Sequence, residues 1–148
     1  MKKFSYQMQN ILNLKSKLEE QEKNNYSIAK MKLNEEEEKL FVFEQRKAGY
    51  EENLREAMSS KLNVLQLRRY EEAIETMKDR IKTQKNVVRK AEQMVDLAMQ
   101  KLNLAIIERK THEKLKELKL EEYKKEFNEG EMKEIDELVS FKYSMKET

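Results

Sequence analysis

Apolar residues recur every three or four positions through the middle of the chain. Between residues 67 and 105 this spacing selects twelve positions, and all but one of them are apolar or aromatic. They are Leu67, Tyr70, Ile74, Met77, Ile81, Gln84, Val88, Ala91, Val95, Ala98, Leu102 and Ala105. Because an α-helix turns once in about 3.6 residues, these positions form one narrow apolar seam along a charged helix. The seam predicts a second helix packed against it.

The first third of the chain carries a looser seam of the same kind. Its predicted positions are Phe4, Met8, Ile11, Leu18, Ala29, Leu33, Leu40, Phe43, Tyr50, Leu54 and Ala57, with polar Lys15, Glu22, Asn25 and Lys47 between them. Polar seam residues weaken a coiled coil but fix its register. This pattern predicts a first helix over residues 3–58.

A turn is predicted at residues 58–62, followed by a second helix over 62–142. Ser59 and Ser60 are candidate N-caps, since their hydroxyls accept hydrogen bonds from the first amides of a helix. Folding back there places Leu33 opposite Val88 and Ile11 opposite Arg109. Two seams joined by one short turn predict an all-α protein: a single antiparallel two-helix coiled-coil hairpin over residues 1–148.

The two predicted helices differ in length. Helix one ends at Phe4, opposite about Lys116, so helix two overhangs by about 25 residues, or roughly 40 Å. The apolar phase shifts between Ala105 and Leu115, which re-aims the apolar face of the overhang. Exposed apolar residues there predict a partner, and a frayed tail with a break at Gly130 is the alternative.

Composition narrows the class further. Of 148 residues, 41% are charged and 38% hydrophobic, with no Pro, Cys or Trp and only two glycines. So few turn-forming residues argue against a compact globule, and disorder is the alternative for so charged a chain. The net charge of +2 comes from interleaved signs, which argues against nucleic-acid binding. The acidic run 35–38 is interpreted as a solvated face, and Gly49 as a close helix approach, a bend or a tolerated residue.

Candidate chemistry is sparse. Two glycines 81 positions apart cannot form a phosphate-binding loop, and one His without Cys gives no zinc site. His112 is interpreted as a solvated or seam-edge histidine. A helix pair offers no water-excluding pocket for tuned carboxylates, so the chain is predicted not to be an enzyme and to need no cofactor. Apolar runs reach only four residues, so no membrane insertion and a cytoplasmic location are expected.

Several segments together resemble one protein family. They are FSYQMQNILNLK (4–15) with Glu19 and Glu20, YEENL (50–54), YEEAI (70–74), VDLA (95–98), RKTHEKL (109–115), Tyr123 and IDEL (135–138). Each segment alone is weak evidence, because unrelated coiled coils use the same few residue types. Their order and spacing over the whole chain, however, resemble the flagellar export protein FliJ family.

The resemblance implies a soluble component of the flagellar type III export apparatus. Such proteins form a two-helix coiled coil similar to the central stalk of rotary ATPases. They sit in the pore of the hexameric export ATPase, promote its assembly, link it to the export gate protein FlhA, and return export chaperones for new cargo. A peripheral location at the inner face of the cell membrane follows from these partners.

The resemblance also implies two sets of site residues. The gate-binding set, near the turn, is Phe43, Tyr50, Met77 and Gln84. The ATPase-binding set, at the end bearing both termini, is Arg109, Lys110, Glu113, Leu115, Tyr123 and Ile135. Several members of the gate-binding set are also seam residues, so helix packing is an equal alternative there.

Two other functions remain open at this stage. The chain is alternatively a structural coiled coil that homodimerises along its overhang. It is alternatively a secretion chaperone that binds unfolded cargo through its exposed C-terminal apolar face. Stoichiometry and dependence on an ATPase separate these functions.

Overall fold

The computed structural model describes residues 3–59 and 63–146. Within these ranges the regular elements are two helices, α1 (Gln9–Ser59) and α2 (Val64–Lys146), which pack against each other. This confirms the predicted all-α helical hairpin. The residues group into two units: a central unit, Gln21–Asn103, and a terminal unit, Met1–Glu20 with Leu104–Thr148. That residues 1–148 act as a single domain stays a prediction.

The helix ends differ from the prediction. Helix α1 begins at Gln9 rather than residue 3, and α2 continues through Gly130 to Lys146. Ser59 does not cap α2, since its hydroxyl donates to the Glu56 carbonyl at 2.8 Å within α1. Asn63 takes that role, its Oδ1 accepting from the Leu65 amide at 3.1 Å, as expected of an N-cap. The rest of the predicted turn, residues 60–62, lies outside the described residues.

The central unit contains most of the hydrophobic core. Leu33 of α1 packs with Val88, Ala91 and Val95 of α2, and Tyr26, Ala29 and Leu40 lie against this cluster. All twelve seam positions predicted between residues 67 and 105 are buried or half-buried. The predicted meeting of Leu33 with Val88 is therefore confirmed.

The seam predicted for the start of α1 was wrong by one residue at several positions, although Lys15 and Glu22 are half-buried as predicted. Met8, Ile11 and Leu18 are exposed, whereas Leu12 and Glu19 are buried in the terminal unit. In the central unit Asn25 is likewise exposed and Tyr26 half-buried. Helix α1 keeps its three-and-four spacing unbroken from residue 57 back to residue 12, because a change of phase would locally unwind the supercoil.

The predicted phase shift in α2 after Ala105 was also wrong. Arg109, His112 and Lys116 are half-buried at the continued seam positions, whereas Leu115 and Leu118 are exposed. Arg109 pairs with Glu19 rather than lying opposite Ile11. The seam of the terminal unit thus accepts charged residues, because carboxylates on α1 can neutralise them.

The N-terminal residues reach further along α2 than a helix would. Residues 3–6 are not helical, and the Phe4 ring lies 5.5 Å, between centroids, from that of Tyr123 rather than opposite Lys116. An extended residue advances about 3.3 Å, against 1.5 Å in a helix. The part of α2 with every residue exposed is therefore residues 131–146, about 24 Å, shorter than the predicted overhang.

The two glycines are ordinary helical residues. Neither has a positive φ, and a Cβ added at Gly49 or Gly130 would meet no atom within 4 Å. The interpretation of Gly49 as a close helix approach was therefore wrong. At both positions glycine only lowers helix propensity.

Candidate functional site

The gate-binding set lies on the inner faces of the helices in the central unit. Phe43 and Tyr50 are half-buried, whereas Met77 and Gln84 are 5% and 8% exposed. Packing between the helices therefore accounts for Met77 and Gln84, and only Phe43 and Tyr50 present part of their rings to solvent. Whether the set binds a gate stays a prediction.

Gln84 is held by a buried polar contact. Its Nε2 donates to the backbone carbonyl of Glu36 at 2.9 Å and to the Glu36 carboxylate at 2.6 Å. Lys32 and Lys39 hold the other carboxylate oxygen at 3.0 and 3.4 Å. The interpretation of residues 35–38 as a fully solvated face was wrong for Glu36, which is 4% exposed.

The Glu36 contact stabilises the charged form of the carboxylate. The hydrogen bond from Gln84, followed by those from Lys32 and Lys39, lowers the pKa of Glu36 from 4.5 to about 2, against the opposing effect of burial. Hydrogen bonds to a carboxylate favour its ionised state. One polar layer in an apolar seam also fixes which residues of the two helices face each other.

Sequence reasoning missed the exposed apolar side chains next to Phe43. Phe41 and Val42 are 59% and 39% exposed, and Val42 borders a shallow depression with Phe43 and Arg46. Their signal was present in the apolar run 40–43, because a helix buries only one or two of four successive residues. They enlarge the apolar surface around the gate-binding set.

In the terminal unit, Arg109 of the ATPase-binding set is an ion-pair centre. It donates to Glu19 across the helix pair and to Glu113 at 2.8 Å along α2. The two carboxylates, Glu113 first, raise the pKa of Arg109. Lys15 adds a second contact across the pair, 2.9 Å from Glu108. Arg109 and Glu113 are therefore brought together along α2, and the pairs formed by Arg109 with Glu19 and by Lys15 with Glu108 join the two helices.

The remaining members of the ATPase-binding set lie at different depths. Lys110 and Leu115 are exposed on α2, beside Ile107 and Thr111. Tyr123 is half-buried between the rings of Phe4 and Phe127, the latter 6.4 Å away between centroids. Such tilted aromatic contacts stabilise the N-terminal residues on α2. The set does not form one patch.

Ile135 belongs to the exposed end of α2, which we call the C-terminal segment (residues 131–146). Seven large apolar side chains of this segment are more than half exposed: Met132, Ile135, Leu138, Val139, Phe141, Tyr143 and Met145. An apolar surface of this density on one helix end indicates an interaction site.

The two helices offer little for other classes of site. Over residues 3–59 and 63–146, no group of three or more His, Asp or Glu side chains is placed to hold a metal ion. In the part of the chain that the structure describes, neither helix has a stretch long and apolar enough to cross a membrane.

Comparisons with known proteins give one result. The family model described as Flagellar FliJ protein matches residues 4–148, a range that includes both seams and the C-terminal segment. No curated protein and no solved structure matches the chain.

Proposed function

The chain belongs to the FliJ family, a component of the flagellar export apparatus, and from this premise we propose that it acts as a stalk. It promotes the assembly and activity of the hexameric export ATPase, links that ring to the export gate protein FlhA, and escorts export chaperones. It is not itself the catalyst. It works at the cytoplasmic face of the cell membrane, held there by its partners.

The C-terminal segment is the observation that carries the ATPase contact. It is helical throughout, and all of its residues are exposed. When a second protein covers exposed Leu, Ile and Phe side chains, apolar surface is removed from water, and this favours binding. Lys110 and Leu115 are exposed on the same helix. They extend the proposed ATPase contact to the part of α2 that precedes the C-terminal segment.

The gate contact is proposed for the central unit. Phe43 and Tyr50 supply half-buried rings, and Phe41 and Val42 supply exposed apolar surface beside them. Partly exposed aromatic rings in a fixed position are good binding anchors, since little conformational freedom is lost on binding. Met77 and Gln84 are buried in the same unit, where they hold the two helices together.

The proposal is tested on ATP hydrolysis by the flagellar export ATPase of the same organism. We expect the full chain to stimulate hydrolysis, and truncation after Gly130 to remove the stimulation. This truncation removes only residues that are exposed or outside the described range, so both packed units keep their contacts. Retained helix content per residue and an unchanged melting temperature check that point.

Two point variants sharpen the test at equal change of charge. Ile135→Asp places a carboxylate on the apolar side of the C-terminal segment. Ser140→Asp places one about 140° away around the helix. We expect only Ile135→Asp to abolish stimulation, and equal effects of both variants would contradict an apolar contact there.

Two competing functions share one observation in their favour. The same exposed C-terminal segment would suit homodimerisation or the binding of unfolded cargo. Sedimentation equilibrium of the free protein tests the first, since a dimer that Ile135→Asp converts to monomer would replace the stalk proposal. Binding of unfolded flagellar subunits without any ATPase would favour the second.

A further inference from the structure

A groove runs along one side of the helix pair in the central unit. It lies between residues 22–36 of α1 and 87–101 of α2 and has a volume of about 510 Å³. Ile28, Met94 and Leu97 border it, and their side chains are 65%, 58% and 43% exposed. Single exposed hydrophobic residues are ordinary on a protein surface, but three along one groove form a continuous apolar surface.

Small residues form the inner part of the groove. Ala29, Ala91 and Ala98 line it and also belong to, or lie beside, the core of the central unit. Small side chains at a contact let helix axes approach toward the short end of the usual 8–10 Å. The α2 wall, residues 87–101, is about 22 Å long, or four helical turns. The small residues and the length of this wall therefore suit the packing of a third helix.

The α2 wall of the groove is positively charged. Lys90 and Lys101 line it eleven residues apart, about three turns, so both are on the same side of the helix. No side chain that the structure describes forms an ion pair with either lysine, and no carboxylate of α2 lines the groove. The opposite wall, on α1, contributes the carboxylates of Glu22 and Glu36 as well as Lys32, which Glu36 holds at 3.0 Å. Among the described lining residues, the lysines without an ion pair are therefore those of the α2 wall.

We propose that this groove binds an amphipathic helix of another protein, with its apolar stripe between α1 and α2 and acidic residues facing Lys90 and Lys101. Helix-in-groove binding of this type uses apolar anchors at three- and four-residue spacing. Opposite charges along the flank select the partner and fix its direction. The surface is separate from the gate-binding and ATPase-binding sets, and the inference does not depend on the proposed stalk function.

A second copy of this chain in the groove is one outcome of the test below. Its C-terminal segment is also an exposed apolar helix, and it carries charges of both signs beside Val139, with Glu131 and Asp136 as well as Lys142 and Lys146.

The test uses two synthetic helical peptides of about five turns, each labelled with a fluorophore. Both have Leu and Ala at three-and-four spacing; one carries Glu along the flank and the other Lys. Fluorescence anisotropy is measured as full-length protein is added. We expect saturable binding of the Glu peptide, and binding of the Lys peptide at least about tenfold weaker.

Charge-reversal variants locate the binding. Lys90→Glu with Lys101→Glu should weaken the Glu peptide by about tenfold or more and strengthen the Lys peptide. The matched control, Lys82→Glu with Arg89→Glu, makes the same change of net charge on α2 outside the groove and should alter neither. Circular dichroism verifies that each variant keeps its helix content.

An apolar pair of variants gives a second readout. Met94→Glu should abolish binding of the Glu peptide, whereas Met99→Glu, at a 43% exposed methionine outside the groove, should not. Stimulation of the export ATPase should be unchanged in both variants. If the wild-type chain binds the Glu peptide but does not stimulate the ATPase, the result counts against the stalk proposal alone.

Three results would overturn the inference. The first is no saturable binding of either peptide. The second is equal binding by the groove variants and their controls. The third is a dimer of the free protein, in sedimentation equilibrium, that Met94→Glu converts to monomer, since a second copy would then occupy the groove.

Discussion

The two units join the same pair of helices by different chemistry. In the central unit the contact is mainly hydrocarbon, with Leu33, Val88, Ala91 and Val95 as its core. In the terminal unit the buried residues among those described are Leu12 and Glu19. The rest of that contact is half-buried and mixes charged and aromatic side chains with Ala105, Ile106 and Leu120.

The different contacts give the two units different roles: the central unit stabilises the helix pair, and the contacts of the terminal unit can rearrange more easily. Burying apolar surface contributes about 25 cal/mol for each Å², whereas partly exposed ion pairs contribute roughly 0–1 kcal/mol. Arg109, bonded to both Glu19 and Glu113, can exchange one carboxylate for another at little cost. The central unit is thus expected to hold the helices in register, and the terminal unit to yield more readily when a partner binds.

The largest expected effect comes from placing a charge in the central core. Val95 is 8% exposed, and Val95→Asp buries a carboxylate without a partner, so we expect the free energy of unfolding to fall by about 3 kcal/mol or more. Urea unfolding followed by far-UV circular dichroism measures it.

The matched control for this variant lies in the terminal unit. Lys116 is half-buried at a seam position there, and Lys116→Asp should cost less than about 1 kcal/mol because solvent reaches the new charge. Equal losses at residues 95 and 116 would contradict the contrast between the units.

A smaller effect is expected from acid, through the polar layer of the central unit. The pKa of Glu36 is lowered in the folded chain to about 2 by Gln84, Lys32 and Lys39. A carboxylate with a lowered folded pKa stabilises the fold above its unfolded pKa, and that contribution is lost as pH falls. Stability should therefore decrease between about pH 4.5 and pH 2.

Glu36→Gln isolates this contribution. The variant cannot titrate at residue 36, so its stability should change less over the same pH interval than that of the wild type. Glu37→Gln is the matched control, since Glu37 is exposed beside it. A pH profile that Glu36→Gln leaves unchanged would show that Glu36 titrates with an ordinary pKa.

The smallest expected effect concerns the two glycines. Because a Cβ at Gly49 meets no atom within 4 Å, Gly49→Ala should raise the free energy of unfolding by up to about 1 kcal/mol. Gly130→Ala lies where α2 leaves its partner, so it should increase helix content without raising the midpoint of urea unfolding. A rise in that midpoint would mean that residues beyond 130 unfold together with the packed units.

The sequence predicts the central unit better than the terminal unit for a physical reason. Apolar spacing identified the seam from Leu67 to Ala105 because the apolar side chains there are stable only between the two helices. It failed between residues 8 and 25, where choosing Ile11 and Leu18 over Leu12 and Glu19 ignored the continuity of the supercoil. A buried Glu19 becomes predictable only when its partner Arg109 is known, and the two are ninety positions apart.

The candidate sites divide in the same way. Met77 and Gln84, which the family resemblance assigns to the gate-binding set, are also seam residues, and both are buried. The exposure of Ile135 followed from counting the lengths of the two helices. The groove between residues 22–36 and 87–101 could not be found from one helix at a time, since each wall alone has an ordinary mixture of Lys, Ala and Met.

The non-helical N-terminal residues determine how much of α2 is available to partners. Residues 3–8 precede α1 and bring Phe4 to Tyr123. If residues 4–8 coiled into a further part of α1, each would advance up to about 1.8 Å less, and Phe4 would retreat by up to about 9 Å. More than one further turn of α2, with Tyr123 and Phe127, would then be uncovered. The conformation of the residues before α1 therefore sets the length of the exposed part of α2.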